Sequence, residues 1–239
     1  GKGIKAMIDT ERLIRKAAAY GIDAAPVVRK LDEYAALLVE YNQKVNLTAI
    51  TDAEGIEDRH FIDSLLLAAR PEVCGRMVDV GTGAGFPGIV AKLFRPELDL
   101  TLMEPTGKRV DFLKYACSAL GVEAEFAKER AEEAARKQWR ESFDVATARA
   151  VAALPVLAEY CLPLLRRGGV FIAMKGSGAD EEIDAAQGAV AKLGGKYAGR
   201  QDVTLPDGSA RTLILYEKIS QTPPVYPRNG GKIAKAPLK

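Results

Sequence analysis

The run Met77-Val78-Asp79-Val80-Gly81-Thr82-Gly83-Ala84-Gly85-Phe86-Pro87-Gly88 restricts this chain more than any other stretch. Met77 to Val80 reads as a short buried strand. It leads into glycines at alternate positions, Gly81, Gly83 and Gly85, and Pro87 then suits the first turn of a helix. Glycines so spaced let the backbone bend sharply and leave room where any Cβ would collide with a ligand. The ligand chemistry is therefore expected at this turn.

Two cofactor classes use such a turn. Gly83, Gly85 and Gly88 satisfy the dinucleotide pattern G-x-G-x-x-G, which keeps a nicotinamide-dependent oxidoreductase open as a reading. Asp79, just before the first glycine, discriminates better. A carboxylate there faces a pyrophosphate unfavourably, but it can orient the loop or attract, through water, the cationic methionine end of S-adenosylmethionine. Further on, the apolar run Leu98 to Met103 ends in Glu104, at a spacing of roughly twenty residues that suits an acid reaching a ribose. The pattern favours S-adenosylmethionine. The plainer alternative makes Asp79 a turn cap and Glu104 a solvated strand end.

From Met77 onward, apolar strand-like runs alternate with amphipathic helical ones, the signature of a parallel sheet covered on both faces. Strands are expected at 77–80, 100–103, 123–126, 144–147 and 170–174, and helices at 87–94, 108–120, 130–140, 155–165 and 180–193. Two last runs, 197–205 and 211–218, flank Pro206-Asp207-Gly208, a hairpin signal. The layout is that of an α/β, Rossmann-like methyltransferase fold, with a mostly parallel sheet and a terminal antiparallel hairpin. A dinucleotide dehydrogenase explains the hairpin poorly.

Helices precede this sheet. Thr10 can cap a first one that stops at Gly21, and a second follows Pro26 with Val28, Leu31, Tyr34, Ala35, Leu38 and Tyr41 on one face. A third spans Ile56 to Leu67 and carries Arg59, His60 and Asp63. The expected organisation is an N-terminal helical module (1–75), a cofactor-binding domain (76–218) and a basic C-terminal tail (219–239). The tail lacks periodicity and reads as mobile. Its Thr222-Pro223-Pro224-Val225 run reads as linker.

The formal net charge of +2 conceals an uneven distribution. Residues 1–30 carry seven Lys or Arg against three acids and residues 219–239 carry four against none, so the middle holds 2 − 4 − 4 = −6. Basic ends on an acidic body are either a phosphate-contacting surface or solubilising tails. No apolar run is long enough to cross a membrane and no signal sequence is evident, so a cytoplasmic protein is expected. Three cysteines without a C-x-x-C pair, and a single histidine, argue against a disulfide framework and against a metal site.

The acceptor atom is narrowed by what is missing. Methylation of exocyclic base amines commonly uses an [ND]-P-P-[YF] segment after the fourth strand, where this chain has Thr147-Ala148-Arg149-Ala150. Methylation at pyrimidine C5 needs a thiolate, but Cys161 falls in an apolar helix and reads as a core thiol. A target with a free lone pair remains, and for it catalysis is alignment plus charge stabilisation.

Several segments come in the order and form of one family. Tyr41 to Thr48 (YNQKVNLT), Arg59 to Leu65 (RHFIDSL), Asp79 to Gly88, Gly107 to Leu113 (GKRVDFL), Thr147 to Val151 (TARAV) and Met174-Lys175-Gly176 resemble those of the RsmG (GidB) family over roughly residues 30–218. The resemblance implies a bacterial enzyme that methylates N7 of a guanine in 16S ribosomal RNA, with that RNA or the small ribosomal subunit as partner. It implies cofactor contacts at Gly81 and Phe86, at Ala131 and Glu132, and at Arg149, joining Asp79, Gly83 and Glu104 of the pattern above. Phe86 would wall the sulfonium, and Ala131 and Glu132 would flank the adenine. Arg149 would face cofactor, phosphate or base, as the candidate positioning residue.

His60 invites a catalytic reading, yet guanine N7 has no proton to remove. A packed histidine partnered by Asp63 or Asn46 is the preferred reading. Lys108 and Arg109 at a helix start, Lys175 after the fifth strand and Arg228 in the tail are the candidate RNA phosphate contacts. A non-catalytic RNA-binding module on the same fold is the third reading, disfavoured by the intact glycine turn.

Overall fold

Near-continuous apolar runs along the central strands decide the architecture, because successive side chains leave on opposite faces and those strands must then be covered twice. In the computed structural model, which describes residues 6–149 and 152–239, Met77 enters one core and Val78 the other. The strands are β1 (Arg76–Val80), β2 (Asp99–Met103), β3 (Glu125–Ala127), β4 (Phe143–Ala148), β5 (Leu165–Lys175), β6 (Gly195–Thr204) and β7 (Ala210–Lys218). They form one sheet in the order β3-β2-β1-β4-β5-β7-β6, parallel from β3 to β5, with β7 antiparallel to both its neighbours. The expected mostly parallel sheet and terminal hairpin are both present. The chain reverses direction across the sheet between β1 and β4, and in open α/β sheets that crevice, at the carboxyl ends of the strands, is where ligands bind.

The first core joins α1 (Thr10–Ala18), α2 (Val28–Asn42), α4 (Asp63–Ala68), α5 (Gly88–Phe94) and α6 (Gly107–Leu120) to one sheet face. Leu13, Leu31, Tyr34 and Leu38 are fully buried there beside Leu102 and Ile172. The second core sets α7 (Ala131–Ala134), α8 (Leu154–Cys161) and α9 (Ala179–Lys192) on the other face. A last helix, α10 (Gly230–Lys235), buries Ile233.

Local differences from expectation have local causes. Asp9 rather than Thr10 caps α1, its carboxylate accepting the Arg12 N–H at 3.0 Å. The expected third helix is α3 (Ala53–Gly55), a π-helical turn at Ile56–Ile62, and α4 in succession. The wider turn buries Glu57, Asp58 and His60 together, next to the buried Asp63 at the start of α4. Arg12 and Lys16 of α1 neutralise Glu57 at 2.6 and 3.1 Å. The helix expected over 130–140 is only α7, after which Arg136 and Arg140 turn toward the tail. Past α8 the chain tightens into a 3₁₀ turn at Leu162–Leu164, where Pro163 lacks an N–H.

The tail is the main correction. Residues 219–239 are folded onto α7, α8 and α9, with Tyr226 and Leu238 packed on the second core and the Lys239 carbonyl accepting from Lys192 at 2.7 Å. Thr222, expected in a linker, is buried and donates to the Leu193 carbonyl at 2.6 Å. Ala150 and Val151 of the fourth-strand motif, and the basic Lys2 and Lys5, lie outside the described residues. Among the described residues no helix is long and apolar enough to cross a membrane, and no cluster of His, Cys, Asp or Glu could hold a metal.

Candidate functional site

The glycine turn leaves β1 with Gly81 and Thr82 donating to the Met103 carbonyl of β2 at 2.9 and 3.2 Å. Gly81 and Gly83 have φ of +64° and +60°, which glycine adopts without a Cβ penalty. A Cβ built on either would meet no protein atom within 4 Å, whereas one on Gly88 would lie 2.6 Å from Leu102 Cδ2 and 2.8 Å from Asp79 Oδ2. The first two glycines therefore face open space. Gly88 is required by close packing of α5 on the sheet.

Asp79 is fully buried beneath this turn. Its Oδ2 accepts the Thr82 hydroxyl and the Gly88 N–H, each at 2.7 Å, while Oδ1 has no partner. Burial pushes its carboxyl up to about 7, against the lowering effect of those two hydrogen bonds. Glu104, at the end of β2, is also buried, and accepts the Gly83 N–H through Oε1 at 3.0 Å and the Thr106 N–H through Oε2 at 2.9 Å. Both acids brace the turn. Each Glu104 oxygen has one of these N–H partners and keeps further lone-pair capacity.

A cleft opens beside the turn, lined by Val80, Gly81, Met103, Pro105, Ala131, Glu132, Ala152, Leu157 and Tyr160. Gly81, Ala131 and Glu132 thus meet as expected. Phe86 does not belong to this wall. Its ring is 3% exposed and stacks on Tyr34 and on His60, with centroids 5.0 and 4.2 Å apart. It joins the turn to the N-terminal helices, and the Tyr34 hydroxyl donates to the Ala84 carbonyl of the same turn.

Arg149, just past β4, holds several partners at once. It donates to the Arg59 carbonyl at 2.8 Å, to Asp63 Oδ2 at 3.1 Å and to His60 Nδ1 at 3.1 Å, and its guanidinium lies 5.2 Å from the Phe86 ring centroid. Asp63 also receives Arg211 of β7 at 2.5 and 2.8 Å. The expected histidine partners, Asp63 and Asn46, are replaced by Arg149 and the Thr48 hydroxyl at 2.9 Å. Burial, reinforced by the charges of Arg149 and Arg59, drives His60 down to about 3. The ring is therefore neutral, accepting through Nδ1 and donating from Nε2 to Thr48.

A second cleft, at the carboxyl ends of β4 and β5, is lined by Arg149, Met174, Lys175, Gly176, Ser177, Glu182 and Arg211. Lys175 is only 8% exposed, bonding the Ala152 carbonyl at 2.8 Å and Glu182 at 3.1 Å, so it closes one cleft against the other and is no free phosphate contact. Arg228 is likewise engaged inside the protein, by the buried Glu159. Lys108 is exposed at the start of α6, and Arg109 is partly exposed, 4.0 Å from Glu104. A larger groove between α9 and β6, with Ile183, Tyr197 and Tyr216, contains none of the expected residues.

Sequence reasoning missed Arg211 and the shared role of Asp63, which lie 148 residues apart. It also missed Asn42, whose Oδ1 accepts the Leu47 and Thr48 N–H groups at 2.8 and 3.0 Å and so shapes the loop that carries Thr48. A polar side chain at the end of α2, before a segment without periodicity, was the available signal.

Comparison with known proteins establishes the family. The chain is 46% identical over 217 residues to a ribosomal RNA small subunit methyltransferase G of Alkaliphilus metalliredigens, covering 89% of this chain and 91% of the relative. It is 44% identical over 243 residues to the protein of that name from Moorella thermoacetica, covering 98% and 100%. In fold it is similar to a SAM-dependent O-methyltransferase from Thermotoga maritima, with TM-score 0.50 at 13% identity over 78% of this chain and 72% of that one. The family model described as GidB, rRNA small subunit methyltransferase G, matches residues 27–203, and the chain belongs to that family.

Proposed function

We propose that this chain methylates N7 of a guanine in 16S ribosomal RNA with S-adenosylmethionine as donor, in the bacterial cytoplasm, on the RNA or the small ribosomal subunit. The observation that carries the reading is the pair of adjoining clefts, one under an open glycine turn and one lined by Arg149 and Arg211. The residues fit the donor. Open space over Gly81 and Gly83 accommodates its close approach, and the orphaned Asp79 Oδ1 calls for a cationic or hydrogen-bonding partner nearby. When bound, S-adenosylmethionine supplies an electrophilic methyl group.

The chain's own residues then bind and orient. Gly81 and Gly83 present backbone to the amino-acid end, Glu104 offers its remaining lone pairs to ribose hydroxyls, and Ala131 and Glu132 flank the adenine. Phe86 supports the turn from behind. Arg149, fixed by Asp63, His60 and the Arg59 carbonyl, stands in the wall of the second cleft, where an acceptor base would be aligned. Lys108 and Arg109 lie on the surface as phosphate contacts.

Guanine N7 carries an unshared pair, so alignment suffices and no general base is required. His60 suits that chemistry, because its ring is buried and already bonded at both nitrogens. The two buried cysteines suit it too. Burial pushes the Cys117 thiol up to about 12 and raises Cys161 further, which keeps both from acting as thiolate nucleophiles. A nicotinamide oxidoreductase is disfavoured by the family and by the antiparallel β7 and β6. A non-catalytic module is disfavoured by the open turn.

The test is transfer of labelled methyl from S-adenosylmethionine to unmodified 16S ribosomal RNA and to small subunits, followed by nucleoside analysis. The expected product is 7-methylguanosine. Label in 5-methylcytidine or in a methylated exocyclic amine would overturn the reading.

A further inference from the structure

The C-terminal segment is tied to α8 and to the chain just after α7, the two helices that wall the cofactor cleft. Arg140 donates to the carbonyls of Thr222, Pro223 and Tyr226 at 2.8, 3.2 and 2.8 Å, and Arg136 donates to that of Pro227. Glu159 of α8 is fully buried, and its carboxylate accepts the Arg228 N–H at 2.7 Å and the Arg228 guanidinium at 2.7 to 3.2 Å. Its neighbours on that helix, Leu157 and Tyr160, line the cleft. At the start of α10 the backbone comes close behind the cleft residue Glu132, and a Cβ on Gly230 would sit 2.6 Å from Glu132 Oε1.

We propose that residues 219–239 form a strap that builds the outer support of the cofactor cleft, with Arg228 and Gly230 as positioning residues for α8 and Glu132. The proposal rests on the reading that this cleft takes S-adenosylmethionine. The Glu159 carboxylate is fully buried, so releasing Arg228 takes away its cationic partner and disturbs the helix carrying Leu157 and Tyr160. Gly230 acts by its absence of a side chain, because any Cβ displaces the Glu132 carboxylate. Docking of the strap and binding in the cleft then favour one another reciprocally.

Binding of S-adenosylhomocysteine to the full chain tests this by calorimetry, with melting temperature recorded for each variant. Gly230→Ala lies on a helix that tolerates alanine, so its fold should persist while affinity falls about tenfold, a difference in binding free energy of the size of one lost contact. In a Glu132→Ala background the same substitution should have no further effect, which separates positioning of Glu132 from general loosening. Arg228→Ala should weaken binding and lower the melting temperature together. Saturating S-adenosylhomocysteine should slow tryptic cleavage after Lys232 and Lys235.

Equal affinity of Gly230→Ala and the unaltered chain, or cleavage indifferent to bound ligand, would overturn the strap alone. Failure of the unaltered chain to bind S-adenosylhomocysteine would overturn the methyltransferase reading, and the strap with it.

Discussion

His60 lies flat on Phe86, with ring centroids 4.2 Å apart and planes within 3° of parallel. One ring belongs to the helices before the sheet and the other to the glycine turn. The single histidine thus ties the first core to the ligand edge while its Nδ1 accepts from Arg149.

This geometry sets a pH dependence. His60 titrates near 3 in the folded chain and in the ordinary imidazole range when unfolded, so the unfolded state binds the extra proton in between. Stability is present in full above the unfolded value and falls as pH drops toward 3, by up to about 1.4 kcal/mol per pH unit. His60→Gln, which keeps an acceptor but does not titrate, should lose less. Urea midpoints at about pH 7.5 and about pH 5 measure the difference, and parallel losses would refute the assignment.

Asp79 gives a second pH effect, with the same origin in burial but a pKa shifted the opposite way. Its carboxyl is held up to about 7 by burial, so a cationic ligand that prefers the ionised form should bind more tightly as pH rises through that value. Calorimetry with S-adenosylmethionine at about pH 6 and about pH 8 should show the gain, relative to Asp79→Asn measured in parallel to remove the ligand's own ionisation. A pH response identical in both proteins would rule it out.

Two glycines separate space from packing. Gly83→Ala adds a Cβ that meets no protein atom but sits at positive φ, so it should cost about 1 to 2 kcal/mol of stability and abolish S-adenosylhomocysteine binding. Gly88→Ala drives a Cβ against Leu102 and Asp79 and should lower the melting temperature more. Normal ligand binding by a folded Gly83→Ala chain would remove the turn from the site.

RNA contacts should sort by exposure. Lys108→Ala and Arg109→Ala should each weaken binding to 16S ribosomal RNA and reduce the salt slope by about one. Lys175→Ala should instead lower stability, since it leaves the Ala152 carbonyl without its donor and Glu182 without its cation. Filter binding at several salt concentrations distinguishes them, and a salt slope changed by Lys175→Ala alone would invert the interface.

What could be read beforehand was local or periodic. The glycine turn, the alternation of strands and helices and the Pro206-Asp207-Gly208 hairpin each express themselves within a dozen residues, and each stands in the structure. Arg211 joins Asp63 across 148 residues and Arg228 joins Glu159 across 69, and no period or spacing announces such pairs. Lys175 was legible as a cation at the ligand edge, but its burial depends on where Ala152 and Glu182 fall after folding. The stretch from β7 to α10 looked unstructured because its hydrogen bonds go largely to arginine side chains and the buried Glu159 carboxylate instead of a helix ladder.

The inverted β7 has one more consequence. Because Lys175 pairs with Thr212 and Val170 with Glu217, β7 runs away from the ligand edge and delivers the chain to the far side of the sheet, where Ile219 bonds to Gly194. Lys218 at the end of β7 donates to the Leu162 carbonyl just past α8, and the residues from there to Arg228 must reach Glu159 on that helix, so they work as a tether of set reach. Removing residues there takes the guanidinium out of range, while inserting flexible ones costs only a term that grows with the logarithm of loop length. A count of residues, measured from the far edge, is thereby turned into the placement of a wall at the near one.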